Sequence, residues 1–140
     1  MNLAVFFYTI FIGAFRAAVS ISATWNPKAK KWSAGRKNIF ERIGAALSDN
    51  QSPVIWVHCS SIGEFEQGRP VIEKLKSQIP NSKFLVTFFS PSGYEAYKNY
   101  KGADYIFYLP IDSIGNAKKF LDIVNPSLAL WINMSIGIIT

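Results

Sequence analysis

Between residues 53 and 131, short apolar segments alternate with amphipathic ones. The apolar segments are continuous, which is typical of parallel strands that helices cover on both faces, and the segments between them repeat apolar residues at helical spacing. This pattern predicts strands over 54–59, 83–89, 105–109 and from 128 to 131, and helices over 65–78, 94–100 and 116–124. The alternation predicts an α/β fold, a Rossmann-like parallel sheet with right-handed crossovers.

The first 23 residues have a different pattern. Leu3 to Ala23 is apolar or small throughout, with Arg16 as its one charged residue. About 20 apolar residues suffice to span a bilayer, although an Arg at the centre costs a few kcal/mol. Positive charge follows this segment rather than precedes it, which argues against a signal peptide and keeps the next domain cytoplasmic. Residues 1–23 are predicted to be a membrane anchor helix, either spanning or interfacial, with a buried core helix as the alternative.

The net charge of +6 lies entirely in residues 1–42. Residues 24–52 are predicted to be a basic juxtamembrane segment and linker, in which 44–52 is the link. Trp25 and Trp32 are predicted to lie at the headgroup level. Such a segment suits anionic lipid headgroups or a phosphorylated substrate. Nucleic acid is the competing interpretation, which we disfavour because no recognised nucleic-acid motif accompanies the charge.

Cysteine and histidine usage restricts the chemistry further. Cys59 and His58 are the only residues of their types, so an internal disulfide is excluded and a structural zinc site is disfavoured. The lone cysteine indicates a reducing compartment. No G-x-G-x-x-G or P-loop lysine motif follows a predicted strand, and we therefore predict no bound cofactor and no metal.

The turn after the first predicted strand holds the strongest candidate for chemistry. Ser61 and Glu64 have the spacing of a capping box, in which both side chains satisfy backbone N–H groups of the helix start. A carboxylate at the carboxyl end of a parallel strand could also serve as a general base, because ligands bind at that end. Gly63 favours the second interpretation, since glycine is a poor helix former that allows close approach to the backbone.

Several ordered motifs resemble one family, the 3-deoxy-D-manno-octulosonic acid (Kdo) transferases. The resemblance covers about residues 24–131. It is carried by Trp56-x-His58-x-x-Ser61-x-Gly63-Glu64-Phe65, Thr87-x-x-Ser90-Pro91-Ser92-Gly93, Leu109-Pro110-x-Asp112, Phe120-Leu121-Asp122, Asn125-Pro126-x-Leu128, and the basic stretches 26–32 and 35–36.

The resemblance implies the N-terminal half of a GT-B fold, with 53–131 as an acceptor-binding domain. It implies transfer of Kdo from CMP-Kdo to a lipid A precursor at the cytoplasmic face of the inner membrane, with Glu64 as catalytic base. The acceptor side would be shaped by Ser61, Gly63, Ser90, Ser92 and Gly93, and Arg36 and Lys37 are candidate phosphate contacts on charge grounds. The alternative is a membrane-tethered Rossmann-like binding module without catalysis.

Residues 132–140 depart from the family pattern, which continues after Trp131 with a sequence similar to Lys-Tyr-Glu-Tyr-Trp. One allowed codon choice for these residues, shifted in frame, encodes that continuation. We therefore predict that a one-base deletion after about Ile132, either in the gene or as a sequencing error, produced a frameshifted tail. A chance match allowed by the freedom of codon choice is the alternative. The acceptor domain would then be truncated, and the 140-residue product would be inactive alone because CMP-Kdo binds the other domain.

Overall fold

The computed structural model describes residues 3–133, which form six helices and four strands. The elements are α1 Leu3–Ser22, α2 Pro27–Gly35, α3 Ile39–Leu47, β1 Val54–Cys59, α4 Ile62–Gln78, β2 Lys83–Phe88, α5 Pro91–Tyr97, β3 Tyr105–Tyr108, α6 Ile114–Val124 and β4 Leu128–Ile132. All strand pairs are parallel and the sheet order is β3-β2-β1-β4. The predicted α/β class and parallel sheet are therefore confirmed.

Strand register places alternate residues of β1 in two separate cores. His58 is opposite Thr87 of β2 and Trp131 of β4. Val57 and Cys59 pack with Phe65 and other residues under α4 and α5, whereas the other face of the sheet packs against α3 and α6. All six residues of β1 are buried, which explains the continuous apolar segment.

The prediction that 44–52 is a link is wrong for residues 44–47, because α3 continues to Leu47. Ile39 and Ile43 of α3 are buried in the sheet core. The helix therefore belongs to the α/β unit, although the basic residues Arg36 and Lys37 come shortly before it in the sequence. The predicted headgroup position also fails for Trp32, which is 8% exposed and packs edge-on against Phe15 and Phe89. Trp25 is exposed, as that prediction requires.

The helices that follow β1, β2 and β3 all start earlier than predicted, and α5 also ends earlier. Helix α5 covers 91–97 rather than 94–100, because Pro91 occupies the first turn and Ser90 caps it. Helices α4 and α6 likewise begin immediately after Ser61 and Ser113, whose hydroxyls accept the N–H groups of Glu64 and Asn116. Proline early in a helix and serine at the cap are favourable choices. Apolar periodicity alone detects neither.

Helix α1 lies on the outside of the molecule, and none of its residues is buried. Its length and apolar composition would allow it to cross a membrane. The structure nevertheless gives it contacts with the α/β unit, since the Tyr8 hydroxyl donates to the Asp112 carboxylate and Phe15 meets Trp32. One side of α1 therefore faces protein and the other faces outward.

Candidate functional site

The site lies at the carboxyl edge of the sheet, in the turn that follows β1, which pairs with β2 on one side and with β4 on the other. The chain passes from β1 to β2 and β3 on one side and then returns to β4 on the other. Such a reversal of strand order opens a crevice that ligands occupy in open α/β sheets. The turn Ser60–Ser61 and the first turn of α4, with Gly63 and Glu64, follow β1 at this edge.

Glu64 is partly exposed in the first turn of α4. Its Oε2 accepts the backbone N–H of Ser60, and its own N–H donates to Ser61 Oγ over 3.4 Å. This arrangement resembles a capping box, shifted by one residue because Glu64 reaches Ser60 rather than Ser61. The carboxylate is held in place and still reaches solvent, so the structural and chemical roles of Glu64 are compatible.

The two turns that follow β1 and β2 both contain serines, and they lie side by side. We call them the serine turns. The Ser90 N–H donates to the Ser60 carbonyl over 3.0 Å, which joins the turn after β2 to the turn after β1. Ser90 Oγ accepts the Gly93 N–H at 3.1 Å and lies 3.2 Å from the hydroxyl oxygen of Ser92. Ser92 is exposed next to this turn. The fold therefore brings Ser61, Gly63 and Glu64 to the same edge as Ser90 and Ser92.

Gly93 is buried and faces protein rather than the crevice. A Cβ at this position would lie 2.6 Å from the Phe88 ring. We expect Gly93→Ala to lower the free energy of unfolding by about 1–3 kcal/mol, the usual cost of overpacking. Gly115→Ala is the matched control, because nothing lies within 4 Å of its added methyl and alanine is the better helix former. Urea denaturation measures both, and equal effects would contradict this packing.

The two candidate phosphate contacts, Arg36 and Lys37, differ in their exposure to solvent and in the hydrogen bonds that they already make. Arg36 is 7% exposed. Its Nε, Nη1 and Nη2 donate to the carbonyls of Leu109, Trp32 and Phe89 at 2.8, 3.1 and 2.9 Å. Burial lowers the pKa of Arg36 to about 10. Lys37 is exposed and has no side-chain hydrogen bond or ion pair within residues 3–133. Arg36 thus ties α2 to the ends of β2 and β3, and Lys37 is the freer cation.

A buried polar chain behind the site was not predicted as functional. Trp56 Nε1 donates to Thr87 Oγ1 at 2.9 Å, and the same oxygen lies 3.0 Å from His58 Nδ1. Thr87 is fully buried, and the tautomer of His58 decides whether Nδ1 or the Thr87 hydroxyl donates in this contact. His58 Nε2 lies 3.5 Å from Ser60 Oγ. Tryptophan and histidine two residues apart on a strand, opposite a threonine, are the sequence signal for this chain.

His58 makes stability depend on pH. Burial lowers the pKa of His58, opposed in part by the negative charge of Glu64. The unfolded chain therefore binds the proton more readily, and stability falls as the pH drops from about 6.5 toward the folded-state pKa. The limiting slope is about 1.4 kcal/mol per pH unit. We expect the free energy of unfolding, measured with denaturant, to fall below about pH 6.5 with a slope no steeper than this limit in the wild type. A His58→Asn variant whose stability fell equally steeply over the same pH range would contradict the assignment.

These groups suit proton transfer more than metal chemistry. Within residues 3–133, no three His, Cys, Asp or Glu side chains come together as metal ligands would. Burial raises the pKa of the Cys59 thiol to about 12, so it is a poor nucleophile. Glu64 is the one carboxylate placed in the first turn of α4 at the carboxyl edge of β1. It can accept a proton from a group bound in the crevice.

Comparison with known proteins gives a family match over most of the chain. A sequence model described as 3-deoxy-D-manno-octulosonic-acid transferase (kdotransferase) matches residues 37–136. The chain is 28% identical over 108 residues to a 3-deoxy-D-manno-octulosonic acid transferase of Haemophilus influenzae, covering 71% of this chain and 25% of that protein. An Aquifex aeolicus protein of the same name is 33% identical over 78 residues, covering 55% of this chain and 21% of its own length.

A third relative has a broader name. It is a bifunctional glycosyltransferase/methyltransferase of Fusobacterium nucleatum, 34% identical over 91 residues, which cover 62% of this chain and 14% of that protein. The chain therefore spans a quarter or less of the length of these relatives. The matched residues include both serine turns and the first turn of α4.

Proposed function

Because this chain belongs to the Kdo transferase family, we propose that it supplies the acceptor-binding part of a GT-B glycosyltransferase. The whole enzyme would transfer Kdo from CMP-Kdo to a lipid A precursor. The observation that carries the proposal is the position of Glu64, anchored at the carboxyl edge of β1 where the strand order reverses. A GT-B enzyme has a second Rossmann-like domain, which would bind CMP-Kdo across the crevice.

In the proposed reaction, Glu64 accepts the proton of the acceptor sugar hydroxyl. That oxygen then forms a bond to the anomeric carbon of Kdo. The bond between this carbon and the phosphate oxygen of CMP breaks, and the electron pair leaves with CMP. General base catalysis of this kind contributes about 10²–10⁴-fold to a rate. No resident cofactor or metal takes part in this scheme.

The predicted acceptor residues would divide into two groups. Ser61, Gly63 and Ser92 are accessible at the crevice edge and would contact the acceptor directly. Ser90 and Gly93 would hold the second turn in shape through their mutual hydrogen bond. Lys37 would offer a positive charge to an acceptor phosphate, whereas the guanidinium of Arg36 is already bonded to three carbonyls.

We further propose that α1 and the basic α2 attach the protein to the cytoplasmic face of the inner membrane. The outward side of α1 carries large apolar side chains, among them Phe7 and Phe11, which are 60% and 65% exposed. Lys28 and Lys30 of α2 are exposed nearby in sequence. Each such lysine near an anionic bilayer contributes about 1 kcal/mol to binding.

Resequencing of the gene across the codons for Trp131 to Thr140, followed by a transfer assay, tests the proposal. We expect one additional base that restores a continuous family-like reading frame. We also expect its full-length product to transfer Kdo from CMP-Kdo to a lipid A precursor, whereas the 140-residue chain transfers none. Transfer by the 140-residue chain alone would contradict the proposal that the acceptor and CMP-Kdo bind to two different domains.

A membrane-tethered binding module without catalysis is the second candidate. The shifted capping box favours it, because Glu64 already has a structural hydrogen bond to Ser60. If Glu64→Gln in the full-length product leaves Kdo transfer unchanged, the result favours this candidate. Glu64 would then serve only as a helix cap.

A further inference from the structure

Three cavities lie next to one another between α1 and the α/β unit, because each shares lining residues with the next. Their volumes are about 440, 320 and 530 Å³. Arg16 and Ile111 line both the first and the second cavity, while Tyr8, Ile12 and Ile111 line both the second and the third. We call this feature the α1 trough. The cavity of about 440 Å³ is its cationic end, and the cavity of about 530 Å³ is its apolar end.

The cationic end is arranged to receive an anion. Arg16, Arg36 and Lys37 line it, and no carboxylate is among its lining residues. In the described part of the chain, neither Arg16 nor Lys37 has a side-chain hydrogen bond or an ion pair. Trp32 also lines this cavity, and its buried Nε1 has no hydrogen-bond acceptor within residues 3–133. That nitrogen has almost no accessible surface, so the cations that this end offers to a ligand are Arg16 and Lys37.

The apolar end has the size and lining of a site for a hydrocarbon chain. Trp56, Phe120 and Trp131 line it, and its volume lies within the range of about 300–1,000 Å³ typical of small-molecule sites. Asp112 is the carboxylate at this end, and it already accepts the Tyr8 hydroxyl. The side chains that line this end therefore do not require a polar ligand.

The position of α1 suggests where such a ligand comes from. Its Tyr8, Ile12 and Arg16 line the trough, whereas Phe7, Phe11 and Ile21 on the outward side are 60–65% exposed. A helix with this outward side would lie in lipid. The trough would then adjoin the bilayer, with positive charge at one end and hydrocarbon-like surface at the other.

From this arrangement we infer that the α1 trough binds an anionic membrane phospholipid. Its phosphate contacts Arg16 and Lys37, and one acyl chain occupies the apolar end. The inference rests on the proposed membrane association of α1. It assigns Lys37 to the lipid instead of to an acceptor phosphate, because Lys37 lines the cationic end of the trough, and Glu64 is not among the residues that line the trough. The lipid would stabilise the docked position of α1 on the α/β unit.

Tryptophan quenching tests the inference on the full 140-residue chain. The background variant is Trp25→Phe, because Trp25 is exposed and the other three tryptophans, at 32, 56 and 131, all line the trough. The probes are phosphatidylglycerol and phosphatidylcholine with brominated acyl chains, each at the same fraction in phosphatidylcholine vesicles. We expect brominated phosphatidylglycerol to quench the emission at about tenfold lower concentration, which corresponds to about 1.4 kcal/mol.

Two pairs of variants separate the trough from general membrane binding. Arg16→Gln/Lys37→Gln should abolish the preference for phosphatidylglycerol. Lys74→Gln/Lys101→Gln removes the same charge from exposed positions outside both the trough and the proposed membrane-attachment helices, and it should retain the preference. Gly13→Leu should block quenching, because Gly13 lines the trough and a Cβ there meets nothing within 4 Å. Ala14→Leu adds the same side chain one residue further along α1, outside the trough lining, and should have no effect.

Several outcomes would overturn the inference. Equal quenching by the two brominated lipids would do so, as would equal losses in the two charge variants. Displacement of brominated phosphatidylglycerol by a lipid A precursor at lower concentration would assign the trough to the acceptor instead. If vesicle flotation shows no membrane binding, the proposed anchor fails. The trough is then tested with soluble dihexanoyl phosphatidylglycerol, and absence of binding to the Trp25→Phe chain rejects the site.

Discussion

We expect Glu64→Gln to lower kcat for Kdo transfer in the full-length transferase by about 10²–10⁴-fold, the contribution of a general base. Glutamine keeps a side-chain oxygen that can accept the Ser60 N–H, as Oε2 of Glu64 does, but it cannot take a proton from the acceptor. Stability should therefore fall by only about 0.3–1 kcal/mol, the contribution of a negative charge near a helix N-terminus. Steady-state kinetics with the lipid acceptor and thermal unfolding of the same preparation measure the two effects.

Two further variants distinguish loss of the base from loss of the cap. Ser61→Ala removes the hydroxyl that accepts the Glu64 N–H, and it should cost about 1 kcal/mol of stability. Loss of its proposed contact with the acceptor should raise KM for the acceptor, with little change in kcat. Glu66→Gln neutralises a carboxylate two residues along α4, whose partner is Arg69 on the surface. It should alter neither quantity. A large loss of kcat in Glu66→Gln would mean that net charge, rather than a positioned base, controls transfer.

Arg36→Met should lower the free energy of unfolding by about 3 kcal/mol, the upper end for hydrogen bonds to a charged group. The variant leaves the carbonyls of Leu109, Trp32 and Phe89 without the guanidinium. It also removes the cation–π contact with Trp32, whose ring centroid lies 4.1 Å from Cζ. Circular dichroism of the full chain in detergent should show a fall in Tm of about 10 °C.

Neighbouring substitutions provide the controls for Arg36. Lys37→Met changes an exposed residue of the same charge and should stay within about 0.5 kcal/mol of the wild type. Arg36→Lys keeps a cation but loses the planar fork, so its stability should fall between those of Arg36→Met and the wild type. If Arg36→Met and Lys37→Met unfold alike, the three carbonyls do not depend on Arg36.

The sequence pattern was sufficient for the sheet. All four predicted strands occur, and β1 has its predicted bounds of 54–59. This succeeded because strands buried on both faces are continuously apolar, and turn residues separate them from the helices. Glu64 was also located correctly in the first turn of α4, since a capping serine fixes the helix start to one residue.

The segment 24–52 could not be predicted in the same way, because its fold depends on contacts distant in sequence. Arg36 is a cation in a basic run, and nothing local indicates that it bonds to Leu109, 73 residues away. Trp32 likewise looks like a headgroup anchor until Phe15 and Phe89 cover it. The polar chain through Thr87 to His58 joins two strands, and only the strand register brings these residues together.

The unequal burial of the strands has a consequence for how the sheet opens. Every residue of β1 is buried, whereas β4 pairs with β1 alone in the described sheet and leaves Leu128 and Trp131 exposed. Amide protons of β4 should therefore exchange with deuterium through local opening, whereas those of β1 should exchange only when the whole domain unfolds. The sheet thus has a gradient of local stability, lowest at the strand that borders the crevice.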